Sequence, residues 1–413
     1  MVQWDEMSKR LKTDTKKCYY CGICEPLCPV FTPLFKLLAR EYEEGGAPIR
    51  REEFEPILDL CYYCKLCLLA CGIGVDFPRL VLDYKIMRVK ERGQTWQNLL
   101  LMNNEWIGKL ASPVAPLANW ALANRLNRRL MELVVGIDRR RTMPKIAGEP
   151  FPRWLKKHPP QPGAGKRRVA LFSGCLTDYY DPAVGIAAVQ VLEHHAIEIL
   201  YPPQHCCGMP MLAEGSLDRA LVNFEYNTNV LAPLVKEGYT VVVLAGPCAM
   251  TFRQEVPQFL NTAEARQVGA ATRDITQYLI EMDKRGELDT AFKPVEGKIA
   301  YHASCAAKLQ RIETAGLELL QRIPGLTVER VDQGCCGFDG TFGFKKQSYD
   351  LANQVGQNLF TWIKATGASV AATDCPLCEI QIADGARVRT AHPIQVLARA
   401  YGFYRPSERD LDF

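Results

Sequence analysis

Cysteine carries the chemistry of this 413-residue chain: there are seventeen, and every one falls in one of four clustered sets. Near the N-terminus stand Cys18-Tyr-Tyr-Cys21-Gly-Ile-Cys24-Glu-Pro-Leu-Cys28-Pro29 and Cys61-Tyr-Tyr-Cys64-Lys-Leu-Cys67-Leu-Leu-Ala-Cys71. Two dispersed sets follow, each with a Cys-Cys-Gly: Cys175, Cys206, Cys207 and Cys248, then Cys305, Cys335, Cys336, Cys375 and Cys378. Thiolate is the ligand of iron–sulfur clusters, and no cysteine is left over for another task. The chemistry implied is electron transfer.

The first compact run has the Cys-x2-Cys-x2-Cys-x3-Cys-Pro spacing of bacterial ferredoxins, in which the fourth cysteine serves the other cluster. On that pattern Cys18, Cys21, Cys24 and Cys71 hold one [4Fe–4S] cluster, and Cys61, Cys64, Cys67 and Cys28 hold the second. The second run ends on Gly72 where the first has Pro29. A structural zinc also uses Cys-x-x-Cys pairs, but it needs only four thiolates at one tetrahedral centre. It leaves two complete runs of this spacing unexplained. In the dispersed sets, adjacent cysteines diverge unless the backbone bends, and Gly208 and Gly337 permit that bend. Their spacing indicates a metal site without naming it.

Ligands so far apart need a fold to gather them. From Arg168 onward the chain repeats itself. Arg-Val-Ala-Leu-Phe-Ser-Gly-Cys175 matches Lys-Ile-Ala-Tyr-His-Ala-Ser-Cys305, and the Cys-Cys-Gly segments ending at Gly208 and Gly337 match in turn. Corresponding cysteines lie 127 to 130 residues apart, so the repeat is a whole domain. Within each half, short β-branched runs alternate with helical patterns: Ala183–His195 and Leu217–Lys236, then Thr314–Ile323 and Ser348–Ala365. That alternation predicts parallel α/β sheets, with each cysteine group at a strand end, where such sheets present ligands. The fold expected is α+β and multidomain: a helical two-cluster ferredoxin unit over 1–90, a helical connector over 91–166, and two repeated α/β Cys-Cys-Gly domains over 167–290 and 291–413. The stretch Lys156 to Arg168 reads as a linker.

A formal net charge of +4 gives no argument for nucleic acid, and six histidines are too few and scattered for a histidine-rich metal site. The N-terminal residues show no signal-peptide pattern, and no run of about 18 apolar residues occurs. With Cys-x-x-Cys runs suited to a reducing compartment, a cytoplasmic location is expected. There is no Gly-x-Gly-x-x-Gly after a strand, no P-loop and no Ser-His-Asp set. A carrier without hydride chemistry of its own needs a partner, and a flavoprotein dehydrogenase fits that need. In the connector, Leu117 to Ile137 sets Leu126, Leu130, Leu133, Val134 and Ile137 at helical spacing. Arg125, Arg128, Arg129 and Arg139 to Arg141 lie on or beside the polar face. Such a helix can lie in a membrane interface, or pack on its own domain or a partner. His302 is a candidate catalytic proton relay and His205 a weaker one. Lys345 and Lys346 either offset cluster charge or begin a solvated helix.

The pattern Cys-(about 30)-Cys-Cys-Gly-(about 40)-Cys-x-x-Cys resembles the cysteine-rich domain of the heterodisulfide reductase B subunit and its relatives. These include iron–sulfur subunits of glycolate oxidase and lactate utilisation, and the C-subunit family of anaerobic glycerol-3-phosphate dehydrogenase. Four segments resemble the last in order: Ser112-Pro-Val-Ala-Pro, Ile137-Asp-Arg-Arg-Arg-Thr-Met-Pro-Lys145, Gly334-Cys-Cys-Gly337 and Gly340-Thr-Phe-Gly-Phe-Lys-Lys346.

The resemblance implies that a complete five-cysteine set holds an iron–sulfur centre, such as a noncubane [4Fe–4S] cluster, at Cys305, Cys335, Cys336, Cys375 and Cys378. The first set is one short, because Thr251 stands where the fifth cysteine would be; four thiolates there suit an ordinary cluster, a zinc ion or a modified centre. Relatives also carry Pro before and His after the first cysteine of the second set, where this chain has Ser304 and Ala306. The function so implied is electron transfer from a flavoprotein dehydrogenase, with glycerol 3-phosphate as its substrate, through the two clusters and the Cys-Cys-Gly centres to a quinone. The chain would then be peripheral on the inner face of the cell membrane. Two other readings are a heterodisulfide reductase-like thiol/disulfide oxidoreductase and a soluble donor to a partner such as a diiron peroxidase.

Overall fold

The computed structural model describes residues 4–42, 48–161, 167–331 and 334–403. Part of the linker expected over 156–168 therefore lies outside the described residues. The C-terminal two-thirds contains two parallel sheets of like construction. In the first, β1 (Arg168–Phe172), β2 (Glu198–Leu200), β3 (Thr240–Val243) and β4 (Thr272–Asp274) take the order β2-β1-β3-β4. In the second, β5 (Gly297–Tyr301), β6 (Leu326–Arg330), β7 (Val370–Ala372) and β8 (Arg389–Ala391) repeat it as β6-β5-β7-β8. Runs such as Val169 to Phe172 and Val241 to Val243 are wholly buried, as a parallel sheet covered on both faces requires. Strand order reverses between β1 and β3 and between β5 and β7, which opens a crevice at the C-terminal strand ends. The helices follow the expected pattern: Pro182–His194, Leu217–Lys236, Ala315–Leu320 and Tyr349–Thr366.

The repeats face each other across helices. Pro182–His194 packs on Pro393–Tyr401, and Ile275–Lys284 packs on Ala315–Leu320. The helix after β1 thus meets the helix after β8, while the helix after β4 meets the one that follows β5. The two contacts are related as the halves of an isologous dimer are. Apolar side chains from both repeats, among them Val189, Leu192, Leu279, Leu319 and Leu397, merge there into one core.

The N-terminal unit is helical. Trp4–Cys21, Phe31–Tyr42 and Phe77–Arg92 enclose Leu11, Phe31, Leu34, Phe54 and Tyr84. Its loop from Cys61 to Cys67 is wedged between the repeats. Tyr63 and Lys65 both adopt positive φ, at 66° and 60°, a conformation that costs a non-glycine residue about 1 kcal/mol or more. The surroundings hold it there. Lys65 forms a buried ion pair with Glu255 of the first repeat, and the Lys85 ammonium donates to the Cys61 and Ala213 carbonyls at 2.8 and 3.2 Å. On the other side the Tyr62 ring lies 5.1 Å from that of Phe342 in the second repeat.

The connector differs from the single amphipathic helix expected over Leu117 to Ile137. That stretch holds two helices, Ala115–Ala123 and Arg125–Val134, broken at Asn124, whose side-chain oxygen caps the second by accepting from Leu126 and Asn127. Arg128 is not on a solvated face. The chain turns back after Gly136 and brings the Asp138 and Arg141 carbonyls onto its guanidinium, at 2.6 and 2.7 Å. Ile137 is buried beyond the helix end, bridged to Lys345. Leu126, Leu130, Leu133 and Val134 remain exposed. Among the described residues no helix is long and apolar enough to cross a membrane.

Removing one member of a buried ion pair leaves an uncompensated charge, so Glu255→Ala is expected to destabilise the chain by about 3–5 kcal/mol. The double change Lys65→Met with Glu255→Leu should recover most of that loss. Thermal unfolding of the cluster-loaded chain reads both, and an unchanged Glu255→Ala midpoint would show that the pair does not hold the loop.

Candidate functional site

Each cysteine of the repeats sits just past a strand end. In the first repeat, Cys175 opens a short helix after β1, Cys206 and Cys207 follow β2, and Cys248 follows β3. The adjacent pair is pinned from behind. Asn223 and Asn227, one turn apart on the helix Leu217–Lys236, donate to the Cys206 carbonyl at 3.0 and 3.3 Å. From the connector, Glu105 accepts from the Cys206 N–H at 2.7 Å and from His205 Nδ1 at 3.1 Å. Gly208 then turns with φ 86°, and a Cβ there would come within 2.7 Å of Phe224. With the backbone so held, neighbouring thiols meet in series: Cys175 Sγ lies 3.8 Å from Cys206 Sγ, Cys206 contacts Cys207, and Cys207 contacts Cys248. Hydrogen bonds from Cys206 and then Cys248 hold the Cys207 thiol well below its ordinary pKa.

Thr251 occupies the place of the missing cysteine and is fully buried. Its hydroxyl donates to the Pro247 carbonyl at 2.8 Å and also reaches Cys207. It begins a five-residue π-helical turn that ends on Glu255, the partner of Lys65. The turn therefore joins the odd position of the first site to the N-terminal loop. In the second repeat the corresponding contact is between thiols, with Cys378 Sγ 3.2 Å from Cys336 Sγ.

The second set is assembled in the same way. Cys305 follows β5 and meets Cys335; Cys335 and Cys336 follow β6; Cys375 caps the helix Pro376–Ala386, with Cys378 in its first turn. Gly337 has φ 86°, and a Cβ would stand 2.1 Å from the Ala352 carbonyl oxygen, so only glycine fits. Ser304, where the resemblance leads one to expect proline, is the N-cap of the helix Cys305–Leu309; its hydroxyl donates to Asp374 at 2.7 Å. The loops before Cys248 and Cys375 touch, through a Gly246 N–H to Asp374 carbonyl bond of 3.1 Å. His302 is buried beside the site, its Nδ1 3.4 Å from the Val331 carbonyl oxygen.

In the N-terminal unit, burial pushes the Cys18 thiol up to about 12, and Cys71, Cys24 and Cys21 add to the rise in that order. These three are the thiols whose charges reach Cys18. Cys28 is likewise pushed up to about 12, by burial and then by Cys61, and Cys67 is raised by burial, then Cys61 and Cys28. Cys64 departs from this second group: it packs against the side-chain cluster that holds Cys335 of the second repeat, and that neighbour raises its thiol. The loop thus puts an N-terminal cysteine directly against the complete Cys-Cys-Gly set. Sequence gives no sign of this contact, nor of the roles of Glu105, Lys85 and Glu255, which are single charged residues outside any motif.

A cavity of about 720 Å³ opens between the N-terminal unit, the connector and both repeats. Tyr62, Phe342, Lys85, Asp339 and Lys345 are among its walls. Lys345 is neither solvated nor directed at a cysteine: it pairs at 2.7 Å with Glu214, also buried, while Lys346 is exposed. Burial, and then the Cys335 charge, pushes the Asp339 carboxyl up to about 8, so it holds a proton at neutral pH.

Among the described residues no three His, Cys, Asp or Glu side chains close round a single ion. The donor set is all thiol, every member buried or half-buried, and neighbouring thiols raise most of its members' cost of ionisation. A positive centre among them lets them ionise together, so the residues fit an iron–sulfur group.

A family model described as a cysteine-rich domain matches twice, at residues 169–253 and 299–383, one match over each sheet. The C subunit of anaerobic glycerol-3-phosphate dehydrogenase of Escherichia coli is 32% identical over 309 residues, covering 74% of this chain and 77% of its own length. The B subunit of fumarate reductase (CoM/CoB) of Methanothermobacter marburgensis is 31% identical over 245 residues, 57% of this chain and 46% of that one. Lactate utilization protein A of Bacillus cytotoxicus is 29% identical over 244 residues, 56% of this chain and 98% of that one. With two cysteine-rich domains and this extent of likeness, the chain belongs to the C-subunit family of anaerobic glycerol-3-phosphate dehydrogenase.

Proposed function

We propose that the chain is the electron-transfer subunit of a flavoprotein dehydrogenase, taking electrons from the partner's flavin and delivering them to a quinone. Glycerol 3-phosphate is the substrate that the relatives' names favour for the complex. Cys18, Cys21, Cys24 and Cys71 hold one cluster; Cys28, Cys61 and Cys67 hold the next, with Cys64, which lies on the side of Cys335, as its fourth ligand; Cys305, Cys335, Cys336, Cys375 and Cys378 hold the third centre; Cys175, Cys206, Cys207 and Cys248 hold a fourth that differs from it. When bound, such groups supply one-electron transfer at potentials set by burial and hydrogen bonding.

The observation that carries this reading is the packing of Cys64 against the side-chain cluster of Tyr62, Phe342 and Cys335. It brings the N-terminal loop against the second Cys-Cys-Gly set. The residues around it have separable tasks. Lys65, Lys85 and Glu255 fix the loop, while Tyr62 and Phe342 pack against that junction. Asp339 holds a proton at the wall of the adjoining cavity, which gives an acceptor room and a proton donor next to the complete set. Exposed Trp106, Leu110, Leu117, Trp120 and Leu126 on the connector form the surface that meets the membrane.

Iron and acid-labile sulfide per chain give the first test. More than about eight irons are expected, and about sixteen if all four sets hold clusters of four. About eight would leave the Cys-Cys-Gly sets without iron and end the proposal for them. Cys335→Ser should abolish quinone reduction by the whole complex while the N-terminal clusters remain reducible by the flavoprotein, as read by EPR. Undiminished quinone reduction would sink the assignment of a route by way of Cys335. Thr251→Cys should shift the EPR spectrum of the first Cys-Cys-Gly centre toward that of the second; an unchanged spectrum would show that Thr251 does not distinguish them.

A further inference from the structure

The motif Ile137 to Lys145 contains no cysteine and takes no part in the centres, yet it folds into a wall. With the helices Ala115–Ala123 and Arg125–Val134 it bounds a cavity of about 490 Å³. Every charged residue lining this cavity is a cation, and no Asp or Glu reaches it. The cations fall into three kinds. Arg139 and Arg140 have carboxylates nearby, Glu132 at 3.8 Å from the first and Asp138 and Asp350 at 2.8 and 2.9 Å from the second. None of the three carboxylates lines the cavity.

Arg128 and Arg141 are buried. The first is spent on the Asp138 and Arg141 carbonyls; the second pairs with Asp384 at 2.9 Å and donates to the Gly343 carbonyl at 2.8 Å. Arg141 keeps Nη2 buried with no hydrogen-bond partner. Its guanidinium lies over the Phe338 and Tyr349 rings, 4.8 and 4.7 Å from their centroids, which fixes this cation in the wall. Arg125, Arg129 and Lys145 are exposed and make no ion pair or hydrogen bond among the described residues. Uncompensated cations gathered round one hollow repel one another, and an anion relieves them. Arginine forks match phosphate oxygens two at a time.

The same two helices say what carries the anion. Leu117 and Trp120 on the first, and Leu126, Leu130, Leu133 and Val134 on the second, are more than half exposed beside the cationic wall. A free phosphate would use the arginines and leave this apolar face in water. A phospholipid uses both, its phosphate among the cations and its chains beside the leucines, with Trp120 at the boundary where indoles gather. We propose that this cavity binds the phosphate-bearing headgroup of an anionic phospholipid, so that the connector is clamped to the bilayer through a headgroup as well as by apolar contact. This rests on the reading that the chain works at a membrane.

Co-sedimentation of the full, cluster-loaded chain with vesicles of phosphatidylcholine, with and without phosphatidylglycerol, tests it. The variant is Arg125→Gln/Arg129→Gln/Lys145→Gln, whose positions are exposed and unpaired and so dispensable for folding. The unaltered chain should prefer vesicles containing phosphatidylglycerol. The variant should lose roughly a hundredfold in affinity for them while its binding to phosphatidylcholine is unchanged. Equal binding to both vesicles by the unaltered chain, or equal affinity of variant and unaltered chain for phosphatidylglycerol, overturns the headgroup site and leaves membrane contact standing. Binding to neither vesicle overturns both. Inorganic phosphate, followed by equilibrium dialysis without vesicles, separates the two anion sources. Tight binding abolished in the variant, together with indifference to phosphatidylglycerol, would assign the cavity to a soluble phosphate instead.

Discussion

The fusion of two sheets into one hydrophobic core is the constraint on which the rest depends. The paired contacts of Pro182–His194 with Pro393–Tyr401 and of Ile275–Lys284 with Ala315–Leu320 leave the repeats no independent motion. Because close-packed interiors transmit displacement instead of absorbing it, the strand ends that carry the cysteines are held at fixed separation. The touching loops at Gly246 and Asp374 are a direct result. So is the gap that receives the Cys61–Cys67 loop, whose strained backbone is kept in place by packing from both sides.

Charge is handled by the same logic of enclosure. Buried thiols, the Lys65–Glu255 and Lys345–Glu214 pairs and the Lys85 ammonium occupy one contiguous region where the three parts of the chain meet. Each lysine there is bonded to an acceptor, which offsets the cost of burying its ammonium group. Such a region favours whatever protonation state its neighbours dictate, and Asp339, held neutral against Cys335, is the clearest case. On its exposed face the connector does the reverse: it presents leucines and unpaired arginines together, in a combination suited to a boundary between water and lipid.

Much of this is legible in the residues alone. The repeat, the alternation of strand and helix, and the position of cysteines after strand ends all follow from patterns local to each segment. The Cys-Cys-Gly bends can be placed because glycine is demanded where φ is positive and a carbonyl stands against the missing Cβ, as at Gly337. What cannot be read depends on where distant segments end up. Nothing in Cys64 distinguishes it from its neighbours in the run, yet it alone turns to the second repeat. Arg128 follows an amphipathic pattern that counts every arginine as solvated; the returning chain supplies carbonyls that the pattern cannot see. Lys345 is misread for the same reason, since its partner Glu214 comes from the other repeat.

The two repeats relate to each other as subunits of a dimer, but they are one covalent chain. In a dimer of identical subunits, any substitution appears on both sides of the axis at once, and a third element that binds one side can bind the other. Here a change can be kept on one side only. Thr251 in place of a fifth cysteine, Ser304 serving as a cap, and a loop that sits against Cys335 with no counterpart at Cys206 are all changes of that kind. Joining the halves end to end gave the molecule a direction, with an N-terminal loop against one Cys-Cys-Gly set and a different residue set behind the other, from a symmetric plan that has none.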